Sequence, residues 1–139
     1  MTITEENADK TRRYYEALWN RRDRSVIADW IAPDYVGHFT SRPKPIHGVE
    51  GFVAMAEGLL GAFPDLAMLI EDQVAEDDQV VSRIRLTGTH EGDFAGVSPT
   101  CRSVDVGFVA IERYAEGLCV EEWVYFDDMG LARQLGLLG

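Results

Sequence analysis

The sequence contains few of the residues that form metal centres or disulfide frameworks. Its 139 residues include two cysteines and three histidines. Cys101 and Cys119 form neither a CxxC motif nor part of a zinc-ligand pattern, so we expect two free thiols and no structural metal. A Gly-rich phosphate loop, a GxSxG nucleophile elbow and a dinucleotide fingerprint are also missing. These absences argue against nucleotide-dependent and serine-nucleophile enzymes, and we expect no cofactor.

Basic charge and long apolar runs are scarce as well. Thirteen Lys and Arg stand against 24 Asp and Glu, which gives a formal net charge of −11. Such a charge repels nucleic-acid phosphates and anionic membrane surfaces. No segment approaches the roughly 20 apolar residues of a membrane span, and the acidic start MTITEENADK does not resemble a signal peptide. We therefore expect no nucleic-acid partner, no membrane partner and a cytoplasmic location.

Apolar residues make up 46% of the chain, enough for a single domain over residues 1–139 with a core around a cavity. Spacing of three to four predicts a helix from Thr4, its N-terminal cap, to about Arg22. A shorter helix, SVIADWIA, should end at Pro33. DYVGHFT predicts a strand, and the two prolines of SRPKPIHG predict an irregular connection. The most regular apolar stripe predicts a helix over 49–63.

The pattern changes to alternation in the second half of the chain. Four long segments show it: LAMLIEDQVAE, QVVSRIRLTGTH, SVDVGFVAIERYA and LCVEEWVYFD. They predict an antiparallel meander, which the short terminal helix MGLARQLG follows. Helices first and strands afterwards indicate an α+β fold, in which a curved antiparallel or mixed β-sheet wraps around the N-terminal helices as a cone-shaped barrel. The mouth of such a cone suits a small apolar ligand.

Asp127 is the first candidate for catalysis. Alternation in the last strand places Trp123, Tyr125 and Asp127 on one face, and Glu122 and Phe126 on the other. A carboxyl group beside aromatic walls loses hydration, which favours its protonated form and allows proton transfer near neutral pH. Aspartate is also a preferred N-cap, and the final helix follows directly. Catalysis and capping are therefore both open for this residue.

The stretch GTHEGDFAGVSPT, residues 88–100, follows the second strand of the meander. His90 continues the mostly apolar set of that strand, which predicts a buried imidazole at the rim of the sheet. This imidazole can serve a substrate or bond to its own loop, and the sequence leaves both open. Gly92 and Gly96 allow the backbone to turn, while Phe94 supplies an apolar contact. We expect this loop to be a lid over the mouth of the cone.

Further candidates for the pocket wall are aromatic or cationic side chains on the first helix and the predicted strands. As substrate-binding residues we expect His38, Trp123, Tyr125, Phe108, Tyr15, Trp19 and Arg113. Each has a structural alternative, because aromatic residues more often form core than a binding site and His38 can lie on the surface.

Four motifs, in order, resemble the SnoaL-like polyketide cyclases of the nuclear-transport-factor-2-like superfamily. They are FPDL, GTHEGDFAGVSPT, EGLCVEEW and RQLG, and the likeness runs from Thr4 to Gly136. The resemblance implies a homodimer formed through the outer sheet face. It also implies cofactor-free acid/base chemistry on a polycyclic aromatic polyketide. By the same resemblance Asp127 is the acid/base of an aldol cyclisation. Our first hypothesis adds His90 and His38 as residues that assist it in the pocket.

The chain departs from the cyclase pattern on the strand before the last. Where the aldol cyclases of the family carry glutamine and histidine, it has Phe108 and Ala110, and His90 or Arg113 would have to replace the lost polar contacts. This departure brings forward a second branch, the cofactor-independent hydroxylases of anthracycline tailoring. A non-catalytic ligand-binding or dimerisation module of the same fold is the third hypothesis. Polarity inside the cavity should distinguish it from an enzyme.

Overall fold

The computed structural model describes residues 1–138. The α-helices in this range are α1 Ile3–Tyr15, α2 Ile27–Trp30, α3 Gly48–Ala62 and α4 Asp128–Gln134, and a 3₁₀ turn, Arg24–Val26, precedes α2. The strands are β1 Ile31–Phe39, β2 Ile46–His47, β3 Ala67–Glu76, β4 Gln79–Thr89, β5 Ser103–Ala115 and β6 Leu118–Phe126. No helix among the described residues is both long and apolar enough to cross a membrane.

The six strands form one sheet in the order β2-β1-β6-β5-β4-β3. Strands β3 to β6 pair antiparallel in succession, as the alternating segments predict, whereas β1 lies parallel to β6. The sheet is curved and does not close, and α1 and α3 pack against it on one side. The predicted α+β class, with a mixed sheet curved around helices, is confirmed.

The beginning of the chain differs from the prediction in its cap. Thr2, not Thr4, is the N-cap of α1, because Glu5 lies three residues after Thr2 and completes a capping box with it. The hydroxyl of Thr4 instead donates to the Asp77 carbonyl at the β3–β4 turn, 2.8 Å away. The helix ends in a π-helical turn, Glu16–Asn20, so its total length is close to that expected.

Pro33 lies inside β1 and does not end a helix, which corrects the second predicted element. Helix α2 ends at Trp30, and the chain enters β1 at once. The ladder between β1 and β6 is irregular from Ile31 to Val36, so the missing N–H of Pro33 interrupts no regular pairing. The connection predicted after β1 contains the two-residue strand β2, which pairs with β1.

A chain of buried hydrogen bonds joins the first helices to the sheet. The indole N–H of Trp30 donates to the Tyr114 hydroxyl over 2.9 Å. Thr11 donates its own hydroxyl proton to the carbonyl of Asn7 at 2.9 Å, so the 2.7 Å contact between Tyr114 and Thr11 has Tyr114 as donor. Each hydroxyl is therefore satisfied within the core, and α1 and α2 are fixed relative to β5.

Candidate active site

A cavity of about 480 Å³ lies between the helices and the curved sheet. This volume suits a drug-sized molecule. Its wall is mainly aromatic, with contributions from Tyr15, Trp19, Phe52, Phe94, Phe108 and Phe126. Of the three carboxyl groups that line it, Asp93 is exposed and Asp128 is partly exposed, while Glu122 is only 4% exposed. Glu122 is therefore the acidic group that a ligand in the cavity would meet away from bulk water.

A β-bulge turns Glu122 toward the cavity. Arg113 pairs with Glu121 and Tyr114 with Cys119, so Val120 has no partner on β5. The extra residue reverses the alternation of β6, and Cys119 and Glu122 both point inward although three positions separate them. The rest of the strand follows this reversed pattern: Val124 is buried and Tyr125 is 57% exposed.

Glu122 is held by a tyrosine from β1. The hydroxyl of Tyr35, itself fully buried, donates to Oε1 of Glu122 over 2.6 Å. Burial and the nearby Glu122 carboxyl raise the pKa of Tyr35, so its hydroxyl stays protonated and remains a donor. Burial also raises the pKa of Glu122 to about 7, and the bond from Tyr35 partly opposes this shift. A carboxyl group tuned in this way can accept or return a proton near neutral pH.

Directly across the β5–β6 ladder from Glu122 lies a second buried glutamate. Glu112 is 0% exposed, and neither of its carboxyl oxygens has a hydrogen-bond partner among the described residues. Burial, together with the charge of Glu122, raises the pKa of Glu112 well above its usual range. Two carboxylates facing each other in a dry core cannot both be ionised, so the pair retains a proton at neutral pH.

Three of the residues predicted from the sequence line the cavity. Tyr15 and Trp19 contribute from the first helix, and Phe108 contributes from β5. Burial raises the pKa of Tyr15 well above its ordinary value, so its hydroxyl is a donor throughout the working pH range. Their part in binding a substrate stays a prediction.

The other four predicted binding residues lie on the opposite face of the sheet, which corrects the expected pocket wall. His38 stacks on Trp123 with 5.5 Å between ring centroids. Its Nε2 lies 2.8 Å from Glu121, which Arg113 also contacts at 3.1 Å. Tyr125 continues this outer face and is exposed. The bulge at Val120 is the reason on β6, since it directs Trp123 and Tyr125 outward.

Asp127 has the geometry of a helix cap. It follows β6 directly, is exposed, and its Oδ1 accepts the backbone N–H of Gly130 at 2.9 Å. Its side chain is absent from the cavity wall and borders a shallow depression on the outer face, beside Tyr125. The structure thus supports the capping alternative, and the catalytic role of Asp127 stays a prediction.

His90 is buried, as its position in the strand pattern predicts, but it bonds to its own loop. The backbone N–H of Thr100 donates to Nδ1 over 3.1 Å, so a neutral ring carries its proton on Nε2. Nε2 has no partner among residues 1–138, and the ring packs against Phe63 outside the cavity wall. Its role in catalysis stays a prediction.

The loop after His90 borders the mouth of the cavity. Glu91 and Gly92 donate their backbone N–H groups to the carbonyl of Ala62 at the end of α3. A Cβ atom on Gly92 would lie 2.1 Å from the Gly61 carbonyl oxygen, so only glycine permits this close approach. Asp93 and Phe94 then reach the cavity rim. This position fits the predicted lid, whose movement stays a prediction.

The sequence does contain a signal for the glutamate pair. The inward face of β5 carries five apolar or aromatic residues and one carboxylate: Val104, Val106, Phe108, Ala110, Glu112 and Tyr114. A single charged residue within an otherwise apolar face deserves a functional or paired explanation. On β6 the signal is hidden, because regular alternation gives no indication of the bulge at Val120.

Metal-ligating side chains are not clustered in the described part of the chain. Residues 1–138 hold no group of three or more His, Cys, Asp or Glu side chains arranged to bind an ion. Cys101 is exposed and Cys119 is buried beside the glutamate pair.

An open mixed sheet curved around helices, with an aromatic cavity on its inner face, defines the nuclear-transport-factor-2-like class of folds. Within that class the chain belongs to the SnoaL-like polyketide cyclase family, whose profile it matches over residues 9–135. The resemblance inferred from the four sequence motifs is thereby confirmed.

Relatives with different named activities match almost the whole chain. Aklanonic acid methyl ester cyclase AcmA of Streptomyces galilaeus is 29% identical over 126 residues, which make up 90% of this chain and 87% of AcmA. AclR of Streptomyces galilaeus, described as a hydroxylase, is 33% identical with a TM-score of 0.83, covering 99% of this chain and 100% of AclR. A SnoaL-like polyketide cyclase of Jannaschia sp. CCS1 is 27% identical with a TM-score of 0.91, and the match covers 100% of this chain and 96% of the cyclase.

Proposed function

We propose that this protein is a cofactor-free acid/base enzyme that acts on an aromatic polyketide in the cavity, with Glu122 as its acid/base group. The observation that carries the proposal is the position of Glu122: a buried carboxyl in an aromatic wall, bonded through Oε1 to Tyr35, with Oε2 left for another donor. A flat aromatic substrate fits such a wall by stacking and edge contacts. A raised pKa near neutrality suits a group that both takes and returns protons.

The reaction that we propose first is an intramolecular aldol cyclisation. Glu122 removes a proton α to a carbonyl, and the resulting enolate carbon attacks a second carbonyl of the same molecule. The protonated Glu122 then returns its proton to the new alkoxide. The hydroxyl of Tyr15, on the same cavity wall, is a suitable donor to the enolate oxygen. Atoms balance without any co-reactant, since product and substrate have the same mass.

The alternative reaction is hydroxylation. Phe108 and Ala110 are both buried on the inward face of β5, so the two positions where aldol cyclases of the family carry polar contacts are apolar in this cavity. AclR, at 33% identity, is described as a hydroxylase. In this alternative Glu122 removes a proton to form the substrate carbanion, which adds O₂ and regains that proton to give a hydroperoxide. An added reductant supplies two electrons, which with two protons from solvent break the O–O bond and leave a hydroxyl on the product and one molecule of water.

A non-catalytic binding module is the third possibility. Asp127 and His90, the two catalytic residues predicted from the sequence, both lie outside the cavity wall. An enzyme needs polar groups inside its cavity, so this observation favours the binding module. The aromatic side chains leave the cavity open, however, and Glu122 supplies a buried titratable group in it. For this reason the geometry supports an enzyme better than a scaffold.

We also propose that the protein forms a homodimer through the outer face of the sheet. A row of neighbouring positions crosses four strands there, from Val74 through Val81 and Ile111 to Trp123. Val74 is 66% exposed and the other three are partly exposed. Charged side chains of Arg83, Glu71 and Arg113 flank this apolar row. An apolar centre with a charged rim is typical of a self-associating surface.

The test of the proposed function compares two adjacent glutamates. Aklanonic acid methyl ester, the substrate named for AcmA, is the first compound to incubate with the wild-type protein, followed by a panel of related anthraquinones. Glu122→Gln keeps the shape of the side chain but cannot take a proton, so turnover should fall by about 100-fold to 10,000-fold. Glu121→Gln is the matched control, because Glu121 faces the outer surface and contacts His38 and Arg113.

Mass spectrometry of the products distinguishes the two reactions. A product of unchanged mass with a new ring indicates cyclisation, and a gain of one oxygen atom in the presence of O₂ and reductant indicates hydroxylation. Full activity of Glu122→Gln with either reaction would reject Glu122 as the acid/base. Saturable binding of the compounds without any turnover by the wild type would support the binding module instead.

A further inference from the structure

Glu112 is a buried titratable group that the proposed mechanism does not use. It is 0% exposed, it does not line the cavity, and its two carboxyl oxygens have no hydrogen-bond partner among the described residues. An ionised carboxylate in such a position would cost several kcal/mol. The surroundings of Glu112 therefore determine which form it takes.

Within residues 1–138 those surroundings offer hydroxyls, a thiol and a carboxyl group but no cation. On one side of Glu112 the ladder neighbour is Val80 of β4, and on the other it is Glu122 of β6. The titratable groups that interact with the pair are Tyr15 from α1, Tyr35 from β1, Tyr114 from β5 and Cys119 from β6. The nearest guanidinium on the same strand, that of Arg113, points to the outer face and binds Glu121.

The two glutamates differ in their hydrogen bonds. Directly opposed residues of an antiparallel pair have Cβ atoms roughly 4.5–5.5 Å apart, which brings two glutamate carboxyls within reach of each other. Glu122 accepts a bond from the Tyr35 hydroxyl, which stabilises its ionised form. Glu112 accepts none from the described residues, so the proton retained by the pair belongs on Glu112.

A protonated carboxyl has an O–H group that needs an acceptor. The Tyr114 hydroxyl accepts from Trp30 and donates to Thr11, which leaves one lone pair on a neutral oxygen. The Oε2 atom of Glu122 is an anionic acceptor on the strand opposite, and hydrogen bonds to ionised acceptors are the stronger ones.

We infer that Glu112 is a positioning residue, which in its protonated form donates a hydrogen bond to the Glu122 carboxylate across the β5–β6 ladder. Glu122 is then fixed by two donors, Tyr35 and Glu112, and its ionised form is stabilised by both. The inference rests on the proposed function only for its catalytic consequence: without the Glu112 donor, the pH above which Glu122 acts as a base should rise.

The experiment is a ¹³C NMR titration of protein labelled at the glutamate δ-carbon, in the absence of substrate. The variants Glu112→Gln and Glu122→Gln assign the two resonances by their loss. In the wild type, Glu112 should keep the chemical shift of a protonated acid across the titration of Glu122. Glu112→Leu, which removes the donor, should move the Glu122 midpoint upward by about one pH unit. Glu112→Gln retains an N–H donor and should stay close to the wild type.

Two further measurements complete the test. Tyr114→Phe should leave the Glu122 midpoint unchanged, because Tyr114 is not the acceptor of the Glu112 proton; a shift as large as that of Glu112→Leu would overturn the inference. Titration of Glu112 in the ordinary acidic range, or an unmoved Glu122 midpoint in Glu112→Leu, would also overturn it. Where turnover is measurable, the ascending limb of the kcat/KM pH profile, on its acid side, should shift upward with the Glu122 midpoint. An active Glu122→Gln would reject the proposed function and leave the NMR result valid by itself.

Discussion

Glu122→Gln should remove a pH-dependent part of the folding stability. In the folded protein burial raises the pKa of Glu122 to about 7, whereas an unfolded glutamate titrates near about 4.3. Because the folded pKa is the higher one, this group's contribution to stability is fully present below the pKa of the unfolded chain and is lost as the pH rises through 7. The interval of about 2.7 pH units corresponds to about 4 kcal/mol at roughly 1.4 kcal/mol per pH unit, of which about 3 kcal/mol is lost between about pH 4.5 and about pH 8.

The assay is urea unfolding followed by tryptophan fluorescence and circular dichroism at intervals from about pH 4.5 to about pH 8. Glutamine matches glutamate in shape but does not ionise. The free energy of unfolding of Glu122→Gln, minus that of the wild type, should therefore increase by about 3 kcal/mol across this range. Most other ionisable groups cancel in the difference, since both proteins carry them in the same surroundings. Glu112 is the exception, because its pKa falls when the opposing charge is removed.

Glu121→Gln supplies a control of opposite sign. The hydrogen bond from His38 lowers the pKa of Glu121, so its contribution is present at high pH and is lost as the pH falls through the folded value. Since the pair is partly exposed, the effect should stay below about 1 kcal/mol. A difference curve for Glu122→Gln that is flat between about pH 4.5 and about pH 7.5 would show that Glu122 ionises normally in the folded protein, and the proposed acid/base role would lose its physical basis.

Two other predictions concern the cap and the outer face. Asp127→Ala should lose about 1 kcal/mol of stability in thermal unfolding, because it removes the acceptor for the Gly130 N–H. Asp127→Asn keeps an acceptor oxygen and should lose less. If Asp127→Asn is stable but inactive, the catalytic alternative is favoured. Ile111→Glu, in the apolar row of the outer face, should convert the dimer to monomer in analytical ultracentrifugation, whereas Met129→Glu, at an exposed position of α4, should not. A wild type that sediments as a monomer would reject the dimer.

Patterns of a single element predict much of this fold. The stripe over 49–63 gives α3 within a residue at each end, and strict alternation gives β5 with its observed bounds. These elements are regular, and each buries one face, so their periodicity is visible in the sequence. The position of Pro33 inside β1 could not be predicted in this way, because it depends on an irregular ladder with a strand about 90 residues away in the chain.

The candidate site was harder to predict than the fold, because it also depends on how one strand pairs with another. One residue, Val120, has no partner in the β5–β6 ladder, and this bulge decides that Glu122 faces the cavity while Trp123 faces the outer surface. A one-residue shift exchanges every side chain between the two faces of a strand. The sequence therefore indicated the right strand, but the face predicted to line the pocket, with Trp123 and Tyr125, is the outer one, and the predicted acid/base Asp127 lies just after the strand.

The polarity of the cavity wall bears on the choice between cyclisation and hydroxylation. Ring closure generates an enolate and then an alkoxide, and both need hydrogen-bond donors close to the base. Phe108 and Ala110, the two positions of β5 in question, supply none, so Tyr15 in the cavity wall is the donor that we propose for the enolate. Hydroxylation begins with the same carbanion but forms no aldol alkoxide, so it makes a smaller demand on such donors. Tyr15→Phe should therefore slow turnover strongly if the protein is a cyclase, and less if it is a hydroxylase. The mass of the wild-type product shows which of the two reactions occurs, and hence which effect of Tyr15→Phe is expected.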